Sequence, residues 1–180
     1  MRKYETKRLE TNRLIIDKGT SLACKKIYEY DLTKCTGVDG RNNLVKLKEG
    51  IDFIGENKDE YYKECENERM FDWYIFLKNS NEPIGNIIAD RESDKDNSIE
   101  ISYNAHPDYW GNGYIPEALR EIIQYLKKLN YKKIIIHFYE GNDKSKRVCE
   151  KLGFKFVKKE PKYFKPTNKY INDYEYILMI

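Results

Sequence analysis

The sequence has few of the residues that build metal centres and covalent cross-links. It contains four cysteines and two histidines among 180 residues. No Cys-x-x-Cys pair occurs, and the cysteines do not cluster with the histidines. Zinc sites depend on such spacings, and disulfide frameworks are typical of small secreted proteins. We therefore expect no metal site, and we interpret Cys24, Cys35, Cys65 and Cys149 as reduced thiols of a cytoplasmic protein.

Long apolar runs and a strong charge of one sign are also missing. No stretch approaches the ~20 apolar residues that a membrane-spanning helix needs. The charged start, Met1 to Glu5, is not followed by the apolar run of a signal peptide. The formal net charge is only +3, with both signs interspersed. We expect no membrane and no nucleic-acid partner, although this charge does not oppose an anionic ligand.

What the sequence does contain is a strand, a glycine turn and a helix in direct succession. Ser98 to Tyr103 alternates polar with apolar or aromatic residues, which is typical of a half-buried strand. From Ile115 to Leu129, apolar residues recur every three or four positions, which predicts a helix of about four turns. Gly111 and Gly113 lie between the two elements. Because glycines let backbone N–H groups converge and a helix N-terminus favours negative charge, this stretch predicts an anion site.

The two common nucleotide-binding motifs do not fit this stretch. A phosphate-binding loop needs Lys followed by Ser or Thr after its last glycine, whereas Tyr114 and Ile115 follow Gly113. The dinucleotide fingerprint needs a third glycine where Pro116 stands. A shorter loop that holds a pyrophosphate by its backbone alone remains open. So does a tight strand-to-helix connection that binds no ligand.

Two longer motifs carry a resemblance to a known family. Residues 107–114, Pro-Asp-Tyr-Trp-Gly-Asn-Gly-Tyr, followed by Glu-Ala-Leu at 117–119, resemble the acetyl-coenzyme A (acetyl-CoA) loop of the GNAT superfamily of N-acetyltransferases. They are most similar to the branch that contains the ribosomal-protein N-terminal acetyltransferases. Residues 142–154 are similar to the second signature, in which Asn and then Ser precede Glu-Lys-Leu-Gly-Phe. Weaker similarities at 10–14 and 83–85 extend the resemblance over nearly the whole chain.

The predicted elements agree with the fold that this resemblance implies. They predict one domain, residues 1–180, of the α/β class: a mixed sheet with helices on both faces. The resemblance implies a mostly antiparallel sheet that splays at the fourth strand. The predicted strands are 13–17, 71–78, 83–90, 98–103, 133–138, 156–157 and 174–180, and the predicted helices are 21–30, 58–69, 115–129 and 144–152. Residues 33–57 show no clear period, and a loop is expected at 161–173.

The resemblance also implies which residues hold acetyl-CoA. Loop N–H groups hold the pyrophosphate, and the diverging strand end pairs with the pantetheine arm and offers an N–H to the thioester oxygen. Asn142 matches a cofactor-side residue, with a helix cap as its alternative role. Asp108 departs from the Gln or Arg of many members, so we expect it to cap the loop or face solvent. The implied cofactor-binding residues are Tyr103, Asn104, Ala105, Trp110, Gly111, Asn112, Gly113, Tyr114, Ile115, Asn142 and Ser145. Lys144, Lys146 and Arg147 are either phosphate contacts or a solvated face.

Three residues are candidates for proton transfer. Glu100 stands where many of these enzymes carry an acidic residue and acts through water, or else forms an ordinary ion pair. His106 follows the strand end and is either a base or a passive surface residue. Ser145 matches the serine proposed in the family to protonate the departing thiolate. His137, within an apolar run, is expected to be a hydrogen-bonded core histidine.

These features predict a cytoplasmic acetyl-CoA-dependent N-acetyltransferase, monomeric or homodimeric, that transfers acetyl directly to a primary amine. The acceptor is either a protein N-terminus or a small molecule. One alternative is a catalytically inactive module that binds acyl-CoA. Another is a nucleic-acid patch in the basic, aromatic segment 155–170, which the resemblance instead makes a wall of the acceptor site.

Overall fold

The computed structural model describes residues 6–28, 71–164 and 169–180, which form an open sheet with helices packed on it. The strands are β1 Leu9–Glu10, β2 Leu14–Asp17, β3 Phe71–Leu77, β4 Pro83–Ser93, β5 Ser98–Ala105, β6 Lys133–Tyr139, β7 Lys155–Phe164 and β8 Lys169–Met179. They lie in the order β1-β2-β3-β4-β5-β6-β8-β7. All neighbouring strands are antiparallel except β5 and β6. The described helices are α1 Ser21–Tyr28, α2 Tyr114–Lys128 and α3 Asp143–Lys151, with a 3-10 turn at Pro107–Tyr109.

Helix α2 forms the main core because its apolar residues share one face. That face lies on the sheet over the rings of Phe71 and Trp73, which stack with centroids 5.2 Å apart. The Trp73 indole donates a hydrogen bond to the carbonyl of Lys7 at 2.9 Å, so the buried N–H is paired. Burying each large apolar side chain contributes about 1.5–3 kcal/mol, which makes this layer the principal source of stability. The buried residues of α2 are Pro116, Ala118, Leu119, Ile122, Ile123 and Leu126.

Helix α1 packs on the opposite face of the sheet. Successive side chains of β3 point to opposite faces, so Trp73 lies under α2 whereas Tyr74 is buried against α1. Thr20 caps α1, since its Oγ1 accepts a hydrogen bond from the Ala23 N–H at 3.2 Å. The prediction of helices on both faces is confirmed. The α1 residues in this smaller core are Ala23, Cys24 and Ile27.

Strand β5 is paired differently on its two sides. It pairs with β4 to its end, where Gly85 lies opposite Ala105. Its parallel pairing with β6, within the described residues, runs only from Ser98 to Glu100, opposite Lys133 to Ile135. Beyond that point β6 continues to pair with β8, and β5 has no strand partner among the described residues on the side that faces β6. The predicted splay is confirmed. Strand β5 is the strand that was predicted as the fourth, and it is the fifth in the structure because the short β1 was not predicted.

The loop predicted at 161–173 is wrong. Strand β7 pairs with β8 from Lys155–Ile177 to Phe164–Lys169, so most of this segment is a long hairpin. Its polar composition hides the period, but cross-strand contacts such as Lys162–Asp173 and Tyr163–Tyr170 stabilise it. Pro161 is tolerated because β7 is the edge strand of the sheet.

The other predicted elements are present with shifted ends. Strand β4 continues to Ser93 and β5 to Ala105, beyond the predicted residues 90 and 103. The segment 33–57, the helix 58–69, Tyr30, Cys35 and Cys65 lie outside the described residues. No helix in the described part of the chain is long and apolar enough to cross a membrane. Residues 6–28, 71–164 and 169–180 contain no cluster of three or more His, Cys, Asp or Glu side chains fit to hold a metal ion.

Candidate functional site

The glycine turn joins the end of β5 to helix α2. Gly111 and Gly113 have φ angles of 80° and 76°, in the left-handed region that side chains other than glycine rarely adopt. Gly113 is the N-cap of α2 and makes no side-chain cap hydrogen bond, so no cap occupies the donors of the first turn. The turn therefore presents backbone N–H groups and the positive end of the helix dipole together, as an anion site requires.

Two side chains of the turn brace it internally. The Trp110 indole Nε1 donates to the carbonyl of Ala105 at 2.9 Å, which ties the turn to the end of β5. Asn112 Nδ2 donates to the carbonyls of Tyr109 and Trp110, each at 3.2 Å. Trp110 and Asn112 therefore hold the shape of the turn with their side chains, and the Trp110 N–H, which the family resemblance assigned to the pyrophosphate, donates to the Pro107 carbonyl at 3.1 Å.

The turn between β1 and β2 contacts the first turn of α2 through Glu117. The Glu117 carboxylate accepts hydrogen bonds from Arg13 Nε at 2.8 Å and from Thr11 Oγ1 at 2.5 Å. Arg13 also donates to the carbonyl of Asn112 at 3.2 Å, and its guanidinium lies 4.5 Å from the centre of the Tyr114 ring. Burial raises the pKa of Glu117, but the bonds from Thr11 and Arg13 outweigh it, so the pKa lies below its ordinary value. Residues 10–14, which carry the weak N-terminal similarity, thus contact the main motif at 107–119 directly.

Basic side chains from the β1–β2 turn and from α3 surround the glycine turn. Arg13 Nη2 and Lys151 Nζ each lie 3.9 Å from the place of a Cβ on Gly113. Lys144 Nζ lies 3.6 Å from the centre of the Trp110 ring. These cations strengthen the positive field at the N-terminus of α2. Sequence reasoning missed Arg13 and Lys151; the position of Arg13 in the N-terminal similarity was the available signal.

Helix α3 and its N-cap place Ser145 and Asn142 beside Tyr103 of β5. The Tyr103 hydroxyl donates to the Ser145 carbonyl at 3.4 Å, and burial raises the pKa of Tyr103, so the hydroxyl keeps its proton. Asn142 Oδ1 accepts from the Ser145 N–H at 3.1 Å and so caps α3, the role named as its alternative. Burial also raises the pKa of the Cys149 thiol to about 12, which makes it a poor nucleophile.

The residues that lead into the glycine turn make structural contacts. His106 Nδ1 accepts a hydrogen bond from the Asp108 N–H at 3.3 Å, and the His106 N–H donates to the Ile84 carbonyl at 2.8 Å. The Asp108 side chain is 76% exposed, so it faces solvent as expected. Ile115, at the other end of the turn, packs against the main core. A catalytic role for His106 stays a prediction.

Close approach of β4 explains the glycine at position 85. A Cβ there would lie 2.4 Å from the carbonyl oxygen of Asn104, so only glycine allows this spacing at the end of β5. The Asn104 Nδ2 is buried and has no hydrogen-bond partner within the described part of the chain. An unpaired buried donor costs about 1–3 kcal/mol, which a bound acceptor atom recovers.

Glu100 and His137 lie where β5 and β6 part. Glu100 Oε1 accepts from Arg91 Nη1 at 2.8 Å, which is the ion pair named as the alternative to a base. His137 Nδ1 lies 2.9 Å from Asp173 Oδ2, so the predicted hydrogen bond is confirmed. The prediction that His137 lies in the core is wrong. Ile136 and Phe138, on either side of it in sequence, are buried, whereas His137 is half-buried on the opposite face of the sheet.

Solved structures share this fold. A GNAT-family acetyltransferase from Bacillus anthracis is 22% identical with a TM-score of 0.76, covering 96% of this chain and 98% of that one. The ribosomal-protein-S5-alanine acetyltransferase of Vibrio fischeri is 18% identical with a TM-score of 0.67, covering 96% of both chains. The microcin C7 self-immunity acetyltransferase MccE, in complex with acetyl-CoA and AMP, is 14% identical with a TM-score of 0.69, covering 94% of both. At these identities the likeness shows the fold alone.

Sequence comparison extends the likeness beyond the fold. The uncharacterized N-acetyltransferase YoaA of Bacillus subtilis is 27% identical over 148 residues, which cover 81% of each chain. A family model described as an acetyltransferase (GNAT) domain matches residues 41–155, a span that contains β3 to β6, the glycine turn, α2 and α3. The motifs, the parted strands and this match agree, and the chain belongs to the GNAT acetyltransferase family.

Proposed function

We propose that this chain transfers the acetyl group of acetyl-CoA directly to a primary amine, on a small molecule or a protein N-terminus. The parting of β5 and β6 after the Glu100–Ile135 pair carries this proposal. Within the described residues it leaves the side of residues 101–104 that faces β6 without a strand partner and open to an extended ligand, and the glycine turn follows the end of this strand. An extended arm that ends in a pyrophosphate matches both features.

The residues present fit acetyl-CoA, whose thioester supplies an activated acetyl group when it is bound. The free side of β5 pairs with pantetheine amides, and the unpaired Asn104 Nδ2 marks a place at the same strand end where an acceptor atom is wanted. The glycine turn holds the pyrophosphate, and Arg13, Lys144 and Lys151 neutralise phosphate charge. The structure of MccE with acetyl-CoA supports this choice of cofactor.

Transfer without a covalent enzyme intermediate agrees with the chemistry of the side chains. Cys149, the cysteine beside Tyr103, stays a thiol at neutral pH because burial raises its pKa to about 12. A backbone N–H of residues 103–105 polarises the thioester carbonyl. Ser145 remains the proposed proton donor to the departing thiolate, and the Tyr103 hydrogen bond to its carbonyl holds it against β5. A single domain over residues 1–180, a cytoplasmic location and a monomeric or dimeric state belong to the same proposal.

Two measurements test the proposal. Acetyl-CoA at ~100 times its Kd adds about 2.7 kcal/mol of stability, which raises the unfolding midpoint by roughly 5–11 °C for a chain of this size; ATP and NAD serve as controls. Release of CoA is then followed with spermidine and with a peptide that has a free N-terminal alanine. A thermal shift without CoA release from either acceptor would favour the inactive acyl-CoA-binding module. No shift at millimolar acetyl-CoA contradicts the proposal.

A further inference from the structure

We propose that His137, oriented by Asp173, accepts the proton that the acceptor amine loses when it attacks the thioester. This inference rests on the proposed function and assigns a residue to a step for which the sequence suggested Glu100 or His106. It is carried by the placement of a histidine–aspartate pair at the opening between β5 and β6, on the face of the sheet opposite helix α2.

The hydrogen bonding of His137 leaves one ring nitrogen available. Asp173 Oδ2 lies 2.9 Å from Nδ1, and the Asp173 side chain is only 6% exposed. A buried carboxylate accepts a hydrogen bond, so the neutral imidazole carries its proton on Nδ1 and its lone pair on Nε2. Asp173 also pairs with Lys162, which holds the carboxylate in place from β7. The pair has the arrangement of a general base with an orienting acid.

The position of His137 in the sheet places that lone pair near the reaction. Ile135 is the last residue of β6 paired with β5, and His137 follows on the same face. The His137 side chain is 23% exposed, so it is partly accessible to a ligand. Glu100, the last residue of β5 that pairs with β6, is close enough for its charge to raise the pKa of His137. The proposed thioester site lies in the opening between these strands.

The charges that face His137 increase its basicity. The hydrogen bond with Asp173 is the largest influence and raises the pKa of His137 above its ordinary value, burial opposes it, and Glu100 adds to it while Lys162 opposes it. Glu175 Oε2, also on β8, lies 3.7 Å from Nε2 and stabilises the imidazolium once the proton arrives. A base with a pKa near the working pH is the most effective. The acidic groups around the opening also favour a cationic amine.

The step balances without a further reactant. The nitrogen of the neutral amine forms a bond to the acetyl carbon, and the bond from that carbon to sulfur breaks. One N–H proton passes to Nε2 of His137, and the departing sulfur takes a proton either from solvent or from the Ser145 hydroxyl, which solvent then reprotonates. His137 then returns its proton to solvent, and nothing is oxidised or reduced.

The test compares His137→Gln and Asp173→Asn with the matched control Glu160→Gln. Glu160 lies on the same hairpin, is exposed and pairs with Lys158 rather than with His137. CoA release with spermidine and with the alanyl peptide is followed between pH ~6 and pH ~9 at saturating acetyl-CoA. We expect His137→Gln to lower kcat about 10²–10⁴-fold at neutral pH and to remove the ionisation of His137 from the acid limb of the pH profile, leaving the limb that the amine itself sets. Asp173→Asn moves the His137 ionisation to lower pH, and the control follows the wild type.

The rise in unfolding midpoint that acetyl-CoA causes distinguishes a failure of this inference from a failure of the proposed function. A normal rise in His137→Gln shows that the fold and the cofactor site are intact, so that a lost kcat belongs to proton transfer. If His137→Gln retains the wild-type turnover and an unchanged pH profile, this inference is overturned and the proposed function stands. A wild-type protein that binds acetyl-CoA but acetylates neither amine overturns both. If His137→Gln does not fold, Asp173→Asn carries the test, and an unshifted acid limb in that variant overturns the inference.

Discussion

Arg13 and Glu117, separated by 104 residues in sequence, are joined by a 2.8 Å hydrogen bond from Nε to Oε2. This contact ties the β1–β2 turn to the first turn of α2, and Arg13 at the same time donates to the carbonyl of Asn112 in the glycine turn. The shape of the glycine turn therefore depends on a segment that is distant in sequence. That dependence predicts an effect on binding as well as on stability.

Replacing Glu117 with Gln should loosen the turn. We expect the free energy of unfolding to fall by about 1 kcal/mol and the affinity for acetyl-CoA to fall several-fold. The pKa of Glu117 lies below its ordinary value in the folded state, so its contribution is present above the unfolded pKa and is lost as pH falls through the folded pKa. Unfolding of both proteins as a function of pH should therefore converge in acid. Glu121→Gln, on the exposed side of α2, is the control and should match the wild type throughout.

The left-handed glycines allow strain to be separated from binding. Gly113→Ala and Gly153→Ala both place a side chain at positive φ, 76° and 84°, and neither new Cβ meets an atom closer than 3.9 Å. We expect each to lower the free energy of unfolding by about 1–2 kcal/mol. Only Gly113→Ala should also reduce the thermal shift with acetyl-CoA, because it distorts the N-terminus of α2. Equal shifts in the two variants would contradict an anion site at this turn.

Charge on the β7–β8 hairpin should tune His137. Lys162 lowers the pKa of His137, so Lys162→Met should raise it, and Asp173→Asn should lower it by removing the largest influence. The stabilisation from a raised histidine pKa is present below the unfolded value and is lost as pH rises through the folded pKa. Imidazole NMR titration measures this directly, since the chain has two histidines. Lys159→Met, an exposed lysine on the same strand, should leave the titration unchanged.

Direct transfer predicts that Cys149 is dispensable for chemistry. Cys149→Ala should lower the free energy of unfolding by about 1–2 kcal/mol through lost packing and should keep the acetyl-transfer rate, because the thiol is buried and protonated. Intact-protein mass spectrometry after mixing with acetyl-CoA should show no acetylated enzyme. An acetyl group on Cys149 would contradict transfer in one step.

Much of the candidate site was predictable because it is built from local patterns. The alternation in β5, the helical period of α2 and the glycines between them depend on neighbours within a few residues, and the structure confirms all three. Gly153 follows the end of α3 with a φ of 84°, and the Phe154 backbone N–H donates to the Cys149 carbonyl, a local pattern by which helices commonly end. The splay itself came from family resemblance, since no local period shows where two strands part.

The sequence by itself determined the strands, helices and turn that can bind an anion, because periodicity and backbone conformation act at short range. Only the tertiary structure decided which distant side chains meet there. Strand β8 lies between β6 and β7, and this order brings Asp173 to His137 and turns an apparent loop into a paired hairpin. The same kind of long-range packing brings Arg13 to Glu117. Such contacts depend on the order of strands in the sheet, which local sequence does not encode.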